Sequence, residues 1–439
     1  MSPAAAAMET TAASRHIPTN LTALTAKLPP KKTQFLNFTS CNSTAKKITL
    51  FCSTKPNTNN QEATDETHPT SDSLPNSTIQ SKSAPISSPQ LSSSSSFSRG
   101  LIFDLGTNNS WDNLEIGSPV VKRYLGDEEE RWYMWYHGRC SENPGFDSIG
   151  LAVSGNGIHW ERGTEGVRSN ADVGLVMSNS KDWWAFDTHG VRPSEVVVMS
   201  SAKVRTNSAV YWLYYTGFCS EDSPRSLPGL AMSQDGRHWA RIEGEHHSGA
   251  LIDVGADGEW DSTFVASPQV VFHGSGDLRM YYHSFDAETG AYGVGIARSR
   301  DGMRWMKLGR ILGAGANGAF DEGGLVNPRV LRDRRDGKYV MVYEGVGGGD
   351  GERRSIGVAE SLDGLKQWRK VGEGPVFEES GGSDGWDTEG VGSPCLVQMD
   401  EQWRLYYRGV GRGGRSGIGL AISQGSEVEK FERWTGFIL

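Results

Sequence analysis

The 439-residue sequence predicts an all-β fold, a five-bladed β-propeller preceded by a disordered N-terminal transit and linker region. Three observations carry this expectation. A turn motif ending on tryptophan recurs along the chain, the strands around it recur in one order, and almost no helical periodicity interrupts them.

The elements follow in chain order. From Met1 to Asn60 there are seven Lys/Arg and one acid, Glu9, in a background of Ser, Thr, Ala and Asn. That composition is the mark of an organelle transit peptide, and it lacks the apolar core of a secretory signal. It places the protein in the chloroplast stroma, with the mitochondrion as second choice. Residues 61–99, rich in Ser, Thr and Pro and closing on "LSSSSSFS", read as a disordered linker because they bury too little apolar surface to fold. The propeller then occupies residues 100–439.

Each repeat opens on an aromatic–Asp pair: Trp111-Asp112, Phe186-Asp187, Trp260-Asp261, Phe320-Asp321 and Trp386-Asp387. A strand centred on a proline follows, at Pro119, Pro193, Pro268, Pro328 and Pro394. Next come an aromatic strand, such as "RWYMWYHG" from Arg131, and a glycine-flanked apolar strand, such as "IGLAVS" from Ile149. The S-x-D-G-x-x-W turn begins at Ser233, Ser299 and Ser361, with the variant "SGNGIHW" at Ser154, and a short fourth strand succeeds it. In the turn the Asp caps the backbone, the Gly takes angles closed to other residues, and the Trp packs between neighbouring blades. Proline spacings of 74, 75, 60 and 66 residues exceed the roughly 40–45 of WD-type repeats, so the blades are large. The fifth repeat lacks the turn, reading "SQGSEVEKFERW". "RGLIFDLG" from Arg99 resembles a fourth strand and competes with the terminal "GFIL" to complete the last blade.

Composition narrows the function. With 36% hydrophobic and 22% charged residues the chain is that of a soluble globular protein, and no apolar run approaches the roughly 20 residues of a membrane span. Beyond residue 60 there are 37 Lys/Arg against 52 Asp/Glu, a formal net charge of −15 that repels a phosphate backbone and excludes nucleic acid. Cys140, Cys219 and Cys395 show neither metal-ligand spacing nor a disulfide framework. Cys140 and Cys219 occupy the same place in two successive repeats, as two loop thiols or as a redox pair. The glycine-rich stretches from Gly345 and Gly409 lie between strands rather than before helices, so no nucleotide loop and no cofactor is expected.

The repeats, the aromatic–Asp pairs and the S-x-D-G-x-x-W turns resemble the five-bladed propeller glycoside hydrolases. These form the arabinanase, levansucrase and invertase superfamily, with related mannoside phosphorylases. The resemblance spans residues 100–439. It implies a funnel at the ring axis, lined by the innermost strands and supplied with three carboxylates from different blades. Glycoside cleavage needs one protonated carboxyl group for the leaving oxygen and one ionised group to attack or to activate water. The sequence departs from the arabinanase-like pattern at the residue before each proline. The family usually places its first Asp there, and this chain has Ser118, Arg192, Ser267, Asn327 and Ser393.

Residues common to all repeats serve the fold, and by that reasoning the five repeat aspartates bind loop amides, the alternative being a ring at the funnel mouth. Residues that break the pattern are candidates for a site. His137, Thr216, His283, Glu344 and Arg408 follow the second-strand tyrosine, and Glu195, Gln269 and Arg329 follow the prolines. Glu115, Glu344 and Glu389, from separate blades, are the candidate acid and base. His137, His189, Arg192, His283, Asn327, Arg329 and Arg408 are the candidate binding residues for hydroxyls, carboxylates or phosphate. Off-pattern Trp183 and Trp184 either stack on a sugar or anchor a loop.

The expected function is that of a glycoside hydrolase-like protein acting on an oligosaccharide or glycoside, without a metal or with a structural ion in the channel. Phosphorolysis is a variant in which arginines hold phosphate. The alternative is a propeller without catalysis that binds carbohydrate or a protein partner in the plastid.

Overall fold

The computed structural model describes residues 99–125, 130–163, 173–199, 210–219, 225–348, 353–382 and 385–436. The transit-peptide and linker readings, Arg99 apart, lie outside the described residues. A short strand β1 (Leu101–Phe103) precedes an antiparallel unit of β2 (Glu115–Leu125), β3 (Glu130–Cys140) and β4 (Asn143–Ser154), edged by β5 (Glu161–Arg162) and β6 (Leu175–Met177). The second unit is β7 (Gly190–Met199), β8 (Val210–Cys219), β9 (Arg225–Ser233) and β10 (Ala240–Ile242). The third is β11 (Ala266–Gly274), β12 (Asp277–Asp286), β13 (Ala291–Ser299) and β14 (Met306–Leu312). Then come β15 (Gly324–Arg332), β16 (Tyr339–Val346), β17 (Arg354–Ser361) and β18 (Arg369–Lys370). The last unit is β19 (Gly390–Gln398), β20 (Trp403–Val410), β21 (Ser416–Ser423) and β22 (Phe431–Arg433).

The first strands touch in sequence, β2 to β7 to β11 to β15 to β19, and β19 returns to β2. This closed ring is the propeller arrangement. Buried side chains gather in clusters that lie between neighbouring units. One unites Trp132, Met134 and Tyr136 of the first unit with Tyr406 and Leu420 of the last.

The repeat motifs build these joints. Trp111 stacks on Tyr136 with centroids 5.5 Å apart, and it lies over two glycines. A Cβ added at Gly138 or Gly150 would fall 2.4 or 2.5 Å from its ring, which is why glycine flanks the apolar strands. The partner aspartate, Asp112, is fully buried and accepts hydrogen bonds from Tyr136 Oη (2.9 Å) and Arg162 Nε (2.8 Å). Asp187 takes Tyr215 and Arg241 in the same way, and Asp387 takes Tyr407 and Arg433. In Asp261 and Asp321 a tyrosine and a lysine do this, Tyr282 with Lys307 and Tyr343 with Lys370. The five aspartates therefore bind a tyrosine and a fourth-strand cation within their own unit, rather than loop amides or the mouth of the ring.

The turn joins one unit to the next. Ser233 Oγ accepts the Gly236 N–H, and Asp235 Oδ1 accepts the N–H groups of Arg237 and His238. Gly236 adopts φ +75°, and its carbonyl accepts the Trp135 indole N–H of the preceding unit at 2.9 Å. Gly302, Gly364 and Gly157 accept Tyr214, Tyr281 and Tyr406 hydroxyls in the same way. The turn tryptophans Trp239, Trp305, Trp368 and Trp160 pack edge-on against those same four aromatic rings. Before the fifth unit, which lacks the turn, the donor position is Val342. Turn and donor are absent together.

Both ends of the propeller close the last blade. β1 pairs Leu101 with Gly419 and Phe103 with Ile418, while β22 pairs Phe431 with Ser423 and Arg433 with Ala421. The described C-terminal piece is "FER", and the last three residues of "GFIL" lie outside the described residues. The first unit divides its outer edge likewise, with β5 opposite Ala152 and Val153 and β6 opposite Ile149 and Gly150.

Candidate functional site at the ring axis

The innermost strands kink where the prolines stand. Ser118, Ser267, Asn327 and Ser393 adopt φ between +46° and +53°, each at a register shift in its strand. A left-handed non-glycine residue before proline costs about 1–3 kcal/mol and persists only when its surroundings hold it. Polar second-strand residues hold three of the four. Thr216 Oγ1 accepts the Ser267 N–H (2.8 Å), His283 Nδ1 the Asn327 N–H (3.3 Å), and Glu344 Oε2 the Ser393 N–H (2.7 Å). Each lies in the unit before the kink it supports. The second unit differs, since its register shift falls after Pro193 and Arg192 keeps a negative φ.

These kinks surround a cavity of about 290 Å³. Its polar lining comprises Arg192, Arg329 and Arg354 together with Thr216, His283 and Asn327, and Ser118, Ser194, Ser226, Ser267 and Ser393 add hydroxyls. Phe218, Phe264 and Tyr292 add aromatic rings. Among the described lining residues there is no carboxylate.

The carboxylates stand behind the arginines. Asp147 accepts Arg192 Nε (2.6 Å) and Arg139 Nε (2.8 Å), and Glu344 accepts Arg354 Nη1 (2.9 Å) and Asn327 Nδ2 (2.8 Å). Glu115 accepts Arg408 Nη2 (2.8 Å), with Arg139 at 3.1 Å and His137 Nε2 at 3.6 Å. Burial raises the Glu115 carboxyl, but His137, Arg408 and Arg192 outweigh it and hold the group well below the ordinary carboxylate range. Asp147 is likewise held down, burial being overcome first by Arg192. His283 is neutral: burial and then Arg354 push it down to about 3. With Nδ1 accepting a backbone N–H, its proton sits on Nε2. Burial and then Arg192 also lower His137, which is 1% exposed.

Of the sequence-predicted residues, Arg192, His283, Asn327 and Arg329 thus meet at the cavity, with Glu344 directly behind its wall. Glu115, His137 and Arg408 form a separate cluster beside Gly117, where a Cβ would fall 2.5 Å from the Arg408 side chain. His189 stacks on Phe146 at 5.7 Å. Glu389 is exposed and accepts the Gly413 N–H at 3.3 Å. Trp183 and Trp184 lie between β6 and β7, Trp183 91% exposed, and neither lines the cavity. Cys140, Cys219 and Cys395 are free thiols. Among the described residues no group of three or more His, Cys, Asp or Glu is arranged to hold a metal ion.

The sequence reading missed Asp147, Ser226, Tyr292 and Arg354. Their signal is a column in the repeat: each stands three residues before the third-strand glycine, at Gly150, Gly229, Gly295 and Gly357, and Ser416 holds that place before Gly419.

No protein-family model matches the chain. It is 29% identical over 330 residues to the uncharacterized protein Rv1502 of Mycobacterium tuberculosis H37Rv, an alignment covering 74% of this chain and 97% of that one. Among solved structures, a glycoside hydrolase aligns with TM-score 0.53 at 18% identity over 75% of this chain and 93% of its own. A thermostable family-43 glycoside hydrolase gives 0.53 at 17% identity over 74% and 95%. A structure from the GH130 family of mannoside phosphorylases, containing glycoside hydrolases that target β-1,2 mannosidic linkages in Candida mannan, gives 0.54 at 15% identity over 76% and 94%. The chain therefore shares its fold with glycoside hydrolase-like propeller proteins, as the sequence resemblance implies.

Proposed function

We propose that this glycoside hydrolase-like propeller binds a carbohydrate in its axial cavity, in the plastid stroma that the leader composition suggests. The observation that carries the reading is the lining, which combines the aromatic rings of Phe218, Phe264 and Tyr292 with hydroxyl, amide and imidazole groups. A sugar ring offers the matching surfaces, an apolar C–H face and an edge of hydroxyls. The cavity volume stands at the lower end of the roughly 300–1,000 Å³ of small-molecule sites, which suits a short ligand.

Hydrolysis through Glu115, Glu344 and Glu389 has less support. A general acid is a carboxyl group whose pKa is raised by its surroundings. Glu115 is held ionised, Glu344 is occupied by Arg354, Asn327 and the Ser393 amide, and Glu389 is exposed away from the lining. The geometry thus favours binding over carboxylate catalysis. Calorimetric titration of the full chain with plant oligosaccharides and aryl glycosides tests this. Binding that weakens about tenfold or more in Tyr292→Ala, a loss of about 1.4 kcal/mol, supports the reading. Absence of binding across pentosides, hexosides and uronides overturns it.

A further inference from the structure

The cavity's three arginines are not equivalent. Arg192 and Arg354 are each bonded to a carboxylate behind the wall, Asp147 and Glu344. Arg329, on β15 just past the Asn327-Pro328 kink, is 8% exposed, and its Nη1 is buried without a hydrogen-bond partner among the described residues. Burial lowers its pKa, and the groups that act against this are the buried Cys395 sulfur and then Glu195, a carboxylate already engaged by Lys122 Nζ and by Gln269 Nε2 (2.9 Å). Gln269 is engaged too, since its Nε2 also donates to the Val330 carbonyl and its Oε1 accepts the Val330 N–H.

The carboxylates behind the wall are all paired. Glu195 meets Lys122, Asp147 meets Arg139 and Arg192, and Glu344 meets Arg354, which leaves no ion pair for Arg329 among the described residues. A buried guanidinium lacking a counter-ion is strongly disfavoured, and an oxyanion entering the cavity offsets this through the planar fork that matches carboxylate and phosphate.

We propose that the ligand of the axial cavity carries an oxyanion, a carboxylate or a phosphate on the sugar, seated on Arg329. The sugar part of this statement rests on the carbohydrate reading, whereas the anion seat stands on the arginine alone.

The test is calorimetry and thermal melting of the full chain with inorganic phosphate, glucuronate, glucose 6-phosphate and glucose, on wild type, Arg329→Met and Arg329→Lys. Wild type is expected to bind at least one anion and to melt higher in its presence. Arg329→Met is expected to melt higher than wild type without ligand, because it removes an unpartnered buried charge, and to lose anion affinity tenfold or more. Arg329→Lys is expected to retain part of that affinity. A structural arginine would instead lower the unliganded melting temperature when replaced. Preference for glucuronate over the phosphates, or the reverse, identifies the anion. Anion affinity within twofold of wild type in Arg329→Met overturns the proposal, as does a wild type that binds no anion. Glucose binding with no anion effect would leave the carbohydrate reading standing and remove this one. Phosphate binding lost in Arg329→Met with no sugar bound would do the opposite. If Arg329→Met fails to fold, the wild-type guanidinium resonances of Arg329 decide: they shift on phosphate titration or the proposal falls.

Discussion

Tyr281 shows how one hydroxyl joins two blades. It donates to the Gly364 carbonyl at 2.6 Å while Trp368 packs edge-on against its ring, and it is fully buried. Tyr281→Phe keeps the ring and orphans a buried carbonyl, so a loss of about 1–3 kcal/mol in urea unfolding is expected. His283 sets a pH dependence. Its folded value of about 3 lies below its ordinary 6.5, so between those values the unfolded chain binds a proton that the folded chain excludes. Stability is then fully present above pH 6.5 and falls as the pH drops, by about 1.4 kcal/mol per unit for this one group. Urea midpoints measured from pH 7 to 5 should decline, and His283→Gln should flatten the decline to the share left by His137, His246 and His273, whose pKa values burial also lowers. The turn was legible in the sequence because Ser, Asp and Gly act on backbone groups within three residues of themselves. The cation on each repeat aspartate was not, because Arg162 stands 50 residues from Asp112 and Arg241 stands 54 from Asp187.

At the scale of elements, β1 ties the last blade to the first. It pairs with β21, and Phe103 packs edge-on against Tyr136 at 4.9 Å under the Arg162 guanidinium, 4.4 Å from its centroid. Phe103→Ala removes a buried aromatic from both blades, and a loss of about 3–5 kcal/mol is expected. A chain shortened to begin at Leu105 should melt markedly below one that begins at Arg99, and equal melting temperatures would contradict the strap. That "RGLIFDLG" belongs to a fourth strand was legible from its likeness to the others. That "FERW" shares the edge was not, because a strand of three residues has little periodicity to read. The inner-strand kinks were visible only as prolines. The left-handed residues Ser267, Asn327 and Ser393 depend on partner side chains in the preceding blade, which no local pattern encodes.

For the molecule as a whole, the repeat both revealed the fold and hid part of the site. Comparing copies separated shared residues from variable ones and found Arg192, His283, Asn327 and Arg329. It also picked out Glu344, which bonds the Ser393 N–H and the Arg354 guanidinium. On the function proposed above, a sugar enters an arginine-lined axial cavity and meets no carboxylate among the described lining residues. The most direct test is a proton NMR time course on the full chain with a mixture of aryl glycosides and oligosaccharides, reading saturation transfer and new reducing-end anomeric signals in one tube. Saturation transfer that weakens in Tyr292→Ala is expected, with an anomeric region that stays unchanged. New reducing-end signals in wild type that vanish in Glu344→Gln would contradict it and restore carboxylate hydrolysis.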